Sequence, residues 1–253
     1  MRIGRILAVL WSSCVALSVS AADWVDTIAR VKPSIVVVGT YQKTASPQFA
    51  MRGTGFVVGN GNLVATNAHV VPQESGPNDP ALVIHIRQGE GVSQLRGARL
   101  LSRDVERDLA ILRIDGTPLP ALPLRDSDGV REGQMVGFTG FPIGGALGFS
   151  PVTHRGMIAS ITPIVLPGNT ARQLNEKAIR QMRRGSFDIF QLDATAYPGN
   201  SGSPVFDPET GEVIGVINMV FVKGSKESAL SQPSGISYAI PVNYLRNLID
   251  QGR

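Results

Sequence analysis

A serine hydroxyl is a poor nucleophile until a base takes its proton, and Ser201 lies in a stretch suited to presenting one: ATAYPGNSGSPVF, Ala194 to Phe206. Pro198-Gly199 before it and Gly202-Ser203-Pro204 after it predict a tight turn between apolar, strand-like flanks. Such a turn holds the hydroxyl out of the fold and aims backbone N–H groups, here those of Gly199 and Ser201, at one point where an oxyanion can form. Glycine suits positions 199 and 202 because a side chain there would block unusual backbone angles or the approach of a substrate. A nucleophilic serine needs a neutral imidazole, and the imidazole needs a shielded carboxylate to fix its tautomer and stabilise its protonated form. Two upstream segments supply candidates: His69 in TNAHVV (Thr66 to Val71) and Asp108 in RDLAILRI (Arg107 to Ile114).

Asp104 is the rival carboxylate. It sits among Arg103, Glu106 and Arg107, whereas Asp108 leads directly into the apolar run LAILRI, where it is better shielded. The other histidines, His85 in VIHIRQ and His154 in VTHRG, carry no partner signal and read as structural. With no HExxH pattern, no cysteine cluster and scattered histidines, neither a metal nor another cofactor is expected.

The elements that must carry these groups are short. At 253 residues, 43% apolar and 17% charged, the chain can bury a substantial core. From Ile35 onward, apolar runs alternate with turn residues: IVVVGTY, GTGFVVG, NLVATNAHVV, ALVIHIRQ, ARLLSRD and LAILRI, then from Gln134 MVGFTGFP, VTHRGMIASI, FDIFQLDA, SPVFD, VIGVINMVF and GISYAIP. This spacing predicts an all-β protein with two β-barrels in tandem, about 34–120 and 134–241, joined by a linker near 119–133. A short helix is expected over Asp23 to Val31, with Trp24, Ile28 and Val31 on one side, and a closing helix over 242–252. The absence of βαβ alternation argues against an α/β-hydrolase.

Residues 1–22 read as a secretory leader, with Arg2 and Arg5, an apolar stretch, and Ser20-Ala21-Ala22 for cleavage. The apolar stretch is interrupted by serines and short for a bilayer span, so stable membrane insertion is not expected. The only cysteine, Cys14, lies inside the leader, where lipid attachment is disfavoured because Trp11 replaces the leucine usual in bacterial lipoprotein signals. Losing Arg2 and Arg5 lowers the basic count from 24 to 22 against 20 acidic residues, and there are no basic blocks interleaved with aromatics, so no nucleic-acid partner is implied.

Six motifs in a fixed order, GTGFVV (Gly53 to Val58), TNAHVV, DLAILRI, PGNSGSPVF, GEVIGVIN (Gly211 to Asn218) and GISYAIP (Gly235 to Pro241), make the chain resemble the trypsin-like serine proteases, specifically the HtrA/Deg branch of bacterial envelope proteases. The order His, Asp, Ser agrees with that family and differs from the α/β-hydrolase order. The resemblance implies two six-stranded Greek-key barrels, with His69 and Asp108 in the first, Ser201 in the second and the active site between them. It implies a periplasmic (otherwise extracellular or lipid-anchored) endopeptidase acting on unfolded or extended polypeptides, and a homo-oligomer, a trimer by family analogy, to which Trp24 could contribute. It implies a primary pocket from Thr195, Ile217, Asn218, Met219, Ile236, Ser237 and Tyr238; none is acidic, which disfavours Lys or Arg beside the cleaved bond and favours a small or medium apolar residue.

Some features depart from the pattern. Ala171 to Arg184 has helical spacing and five basic residues, which reads as a solvated surface helix; a regulatory or docking role is the sharper alternative by family analogy. Asn200, uncharged, cannot receive a freshly cut N-terminus as the digestive proteases' aspartate does. Ser203 stands where the family has glycine and Tyr197 where it commonly has asparagine. The family usually continues into PDZ domains, and none is expected here. A peptide-binding holdase or latent protease, and an esterase using the same three groups, are the competing readings.

Overall fold

The short apolar runs pair into closed sheets. The computed structural model describes residues 24–73, 76, 79–88, 92–145, 148–163, 187–218 and 235–252. The first barrel comprises β1 (Ile35–Tyr41), β2 (Phe49–Val58), β3 (Leu63–Thr66), β4 (Ala81–Gln88), β5 (Val92–Asp104) and β6 (Leu109–Ile114), in the order β1-β2-β3-β6-β5-β4. The second comprises β7 (Met135–Gly140), β8 (Val152–Pro163), β9 (Asp188–Asp193), β10 (Pro204–Phe206), β11 (Val213–Asn218) and β12 (Ile236–Pro241), in the order β7-β8-β9-β12-β11-β10. Each strand of the second barrel therefore takes the place of the strand six earlier, and one Greek-key path is traced twice. The all-β reading with two six-stranded barrels is the observed architecture.

β1 shows why the runs are nearly continuous in apolar residues. Successive side chains point to opposite faces. Val36 and Val38 enter the first barrel's core with Val57, Val64, Ile84 and Leu112, while Ile35 and Val37 are buried on the other face, in the seam between the barrels. Phe141, Phe206, Val213, Val216 and Ile240 of the second barrel meet them there.

The two α-helices among the described residues close over this seam. Val31 of α1 (Trp24–Val31) and Val242, Leu245, Leu248 and Ile249 of α2 (Val242–Gln251) are buried in it. At roughly 1.5–3 kcal/mol for each large side chain buried, the seam holds the barrels in one relative position. On α1, Thr27 is buried beside Val31, whereas Trp24 and Ile28 are half-buried. Trp24 stacks on Phe206 of the second barrel, with ring centroids 6.0 Å apart. The strap from Leu119 to Gln134 is tacked to both barrels: Leu122 N–H donates to Val57 O, and Arg125 N–H to Val213 O. The expected leader and the basic stretch Ala171 to Arg184 lie outside the described residues. Among the described residues no helix is long and apolar enough to cross a membrane.

Candidate active site

His69 sits on a single 3₁₀ turn (Ala68–Val70) that follows β3, and Asp108 sits at the end of the tight connection between β5 and β6. Asp108 has φ +53°, a left-handed conformation that aspartate tolerates better than most residues. The two segments are knitted together through backbone: Asp108 O accepts from Ala68 N–H at 3.1 Å and from Asn67 Nδ2 at 3.0 Å. The Asp108 carboxylate then faces His69, with Oδ1 accepting the His69 backbone N–H at 2.8 Å and Oδ2 lying 2.6 Å from Nδ1. A carboxylate only accepts, so the proton of this bond belongs to Nδ1, and Nε2 of the neutral ring is left with its lone pair. The Asp108 side chain is 14% exposed and that of His69 is 34% exposed, so the acid is shielded while the ring remains open on one side.

Asp104 is otherwise engaged. Its Oδ1 accepts the Arg107 backbone N–H at 3.0 Å and its Oδ2 the Arg107 guanidinium at 2.9 Å.

The second barrel contributes the turn ahead of β10. Ser201 is buried to 6% exposure, and its carbonyl accepts the Thr54 N–H of β2 at 2.9 Å. Thr54 grips the same turn with its hydroxyl, which donates to Gly199 O at 2.7 Å and accepts Phe141 N–H at 3.0 Å. A Cβ at Gly202 (φ +86°) would lie 2.1 Å from Thr54 O, so only glycine permits this approach. A Cβ at Gly53 would be 2.7 Å from Val70 and 3.0 Å from Ser201 O, which seats the serine's backbone beside the residue that follows His69. No hydrogen bond joins Ser201 Oγ to His69 among the described residues.

Peptide geometry fixes the direction of two amides. In a trans peptide the C=O and the next N–H point in opposite directions. Pro198 O is held by Ile143 N–H at 2.6 Å, which turns the Gly199 N–H the other way; Asn200 O is held by Ser203 N–H at 2.9 Å, which does the same for the Ser201 N–H. Neither amide donates to a described residue. Ile143 has φ +60°, a strained conformation for a β-branched residue, at the point where its N–H meets the turn.

The residues expected to form a primary pocket are distributed unevenly. Ser237 is buried and ties down the wall at 194–196, donating to Ala194 O at 2.7 Å and accepting Ala196 N–H at 2.9 Å. Ile217 is wholly buried in the second core, and its backbone pairs with Gly202 and Ser203. Thr195 and Tyr238 are half-buried and Ile236 is exposed, while Met219 lies outside the described residues. Asn218 is fully buried and directs Nδ2 to Asp108 Oδ2 at 2.7 Å, so it meets the acid from the opposite barrel. Local sequence gives no sign of this contact, nor of the parts of Thr54 and Ile143, whose only signal is membership of GTGFVV and of the segment after β7.

Of the departures, Ser203 is fully buried without a hydrogen-bond partner for Oγ among the described residues, and a Cβ at Gly140 would be 2.0 Å from that oxygen. The buried side-chain amide of Asn200 also has no partner among the described residues. His85 lies against Phe49 and Phe149, and His154 stacks on Phe138 at 4.7 Å; burial lowers the pKa of both rings. No group of three or more metal-ligating side chains occurs among the described residues.

Residues 53–216 match the family model described as "Trypsin-like peptidase domain". The chain is 29% identical over 214 residues to a probable periplasmic serine endoprotease DegP-like from Marinomonas sp., covering 83% of this chain and 38% of that protein. It is 30% identical over 232 residues to the mitochondrial serine protease HTRA2 of Drosophila grimshawi, covering 89% and 46%. Among solved structures it is similar to the HtrA-type protease AlgW with tripeptide, at TM-score 0.65 and 26% identity, covering 90% of this chain and 62% of that one. The chain thus spans less than half the length of these two relatives.

Proposed function

The chain belongs to the trypsin-like peptidase family, and from that premise we propose that it is a serine endopeptidase that hydrolyses extended or unfolded polypeptides by acyl transfer. The observation that carries this reading is the 2.6 Å contact between His69 Nδ1 and Asp108 Oδ2, made beside the turn that bears Ser201. His69 Nε2 takes the hydroxyl proton as Ser201 Oγ bonds to the peptide carbonyl carbon, and the charge formed on the carbonyl oxygen meets the N–H groups of Gly199 and Ser201. The C–N bond then breaks as Nε2 gives its proton to the departing amine. Water, deprotonated by His69, attacks the acyl-enzyme, and Ser201 leaves with the proton. Asp108 steadies the imidazolium in each half-reaction and is not itself protonated.

The wider reading rests on resemblance: a periplasmic location after removal of residues 1–22, association of copies into a trimer, and a primary pocket taking a small or medium apolar side chain. A residue partner for Lys or Arg would need a carboxylate, and Thr195, Ile236, Ser237 and Tyr238 offer none.

The absent Ser201 to His69 hydrogen bond favours a second reading, a latent protease or chain-binding module with weak turnover. Casein digestion by the wild type and by Ser201→Ala separates the two. Activity lost in the variant supports the endopeptidase; equal inactivity of both rejects it.

A further inference from the structure

The residue before the candidate acid, Arg107, has anchoring contacts of its own. Arg107 gives its backbone N–H to Asp104 Oδ1 and its guanidinium to Asp104 Oδ2, and the guanidinium carbon lies 4.8 Å from the ring centre of Tyr244 on α2 and 5.6 Å from that of Phe187, just ahead of β9. The two rings meet edge to face at 5.6 Å. Such cation-ring contacts, with a single guanidinium bond to Asp104 Oδ2, restrict a planar guanidinium in ways an ammonium does not reproduce. Asp108 follows with its left-handed φ of +53°, its carbonyl taken by Ala68 and Asn67 and its carboxylate by His69 and Asn218. Turning the Arg107–Asp108 peptide would therefore require pulling Arg107 off the two rings and away from Asp104.

We propose that Arg107 is a positioning residue: its clamp by Asp104, Tyr244 and Phe187 sets the direction of the Asp108 carboxylate, and so ties the orientation of His69 to the packing of α2 and of the chain entering β9. The inference rests on the catalytic reading of His69, Asp108 and Ser201. It also gives the Asp104–Arg107 pair a role that an ordinary surface ion pair lacks.

The test compares wild type, Arg107→Ala and Arg107→Lys in three measurements: kcat and KM per active site titrated with a fluorophosphonate, thermal midpoint, and, in the Ser201→Ala background, the downfield proton resonance of the His69 Nδ1 to Asp108 hydrogen bond. The expected result for Arg107→Ala is a kcat lowered roughly tenfold at unchanged KM, the scale on which small misplacements act, with the resonance shifted or broadened and Arg107→Lys intermediate. A purely structural clamp would lower the thermal midpoint while kcat per titrated site and the resonance stay at wild-type values, and that overturns the proposal. Should the wild type hydrolyse no more than Ser201→Ala, the endopeptidase reading fails and the resonance alone decides: a signal unmoved by Arg107→Ala rejects the clamp.

Discussion

Asn218 of the second barrel sets its side-chain amide 2.7 Å from Oδ2 of Asp108, a carboxylate belonging to the first. The oxygen that faces His69 is thus shared between the ring and a donor from the opposite barrel, and the relative position of the barrels enters directly into the orientation of the acid. Replacing the donor leaves a shielded carboxylate short of one charge-assisted bond. Asn218→Ala is expected to lower kcat/KM on a peptide substrate by about ten- to a hundredfold, a cost of roughly 1.4–2.7 kcal/mol in the transition state. Asn218→Asp, which sets a second carboxylate against Asp108, is expected to be worse. Steady-state kinetics on the three proteins decides it; an unchanged Asn218→Ala argues that Asp108 is oriented without help from the second barrel.

Thr54 makes a separable contribution. Its hydroxyl links Gly199 O to Phe141 N–H, and both ends loosen when it is removed. Thr54→Val, close in shape, is expected to reduce kcat by about tenfold or more, short of the hundred- to thousandfold seen when an oxyanion donor itself is deleted. Thr54→Ser should retain most of the activity. Equal rates for Val and Ser would mean that the backbone bond from Thr54 N–H to Ser201 O suffices.

The buried histidines bear on pH. Burial, the leading cause at both positions, lowers His85 and His154 below the ordinary 6.5, against an opposing backbone contact at His85. Below 6.5 the unfolded chain binds protons that the folded rings resist, so the stability they contribute is fully present above that pH and is lost as pH falls toward their folded values. Thermal midpoints of the wild type should therefore drop between about pH 7 and 5. His154→Phe, which preserves the stack on Phe138, should flatten that dependence; parallel curves for the two proteins would show that His154 contributes nothing to it.

The barrels were legible because each strand declares itself within a few residues, as an apolar run cut off by Gly, Pro, Asn or Asp, and because the same sequence of runs occurs twice. The choice of Asp108 over Asp104 turned on which one leads into an apolar strand, and the structure has Asp104 tied to Arg107 while Asp108 faces His69. Local pattern carried no information about contacts made across the seam. Thr54 meets Gly199 from 145 residues away, and Asn218 meets Asp108 from 110. The run VIGVIN is buried at every position, so alternation could not say which way its terminal asparagine points. Ile143 is hidden for a different reason: its part is played by a backbone N–H, to which side-chain identity is indifferent.

In the proposed mechanism Ser201 is activated by His69 under the direction of Asp108. Labelling with a fluorophosphonate, which bonds only to an activated serine, tests this most directly when the modified residue is identified by mass spectrometry. Stoichiometric labelling of the wild type at Ser201 is expected, with none in Ser201→Ala and labelling slowed by orders of magnitude in His69→Ala and Asp108→Ala. Labelling at another serine, or at Ser201 with equal speed in the absence of His69, would contradict it.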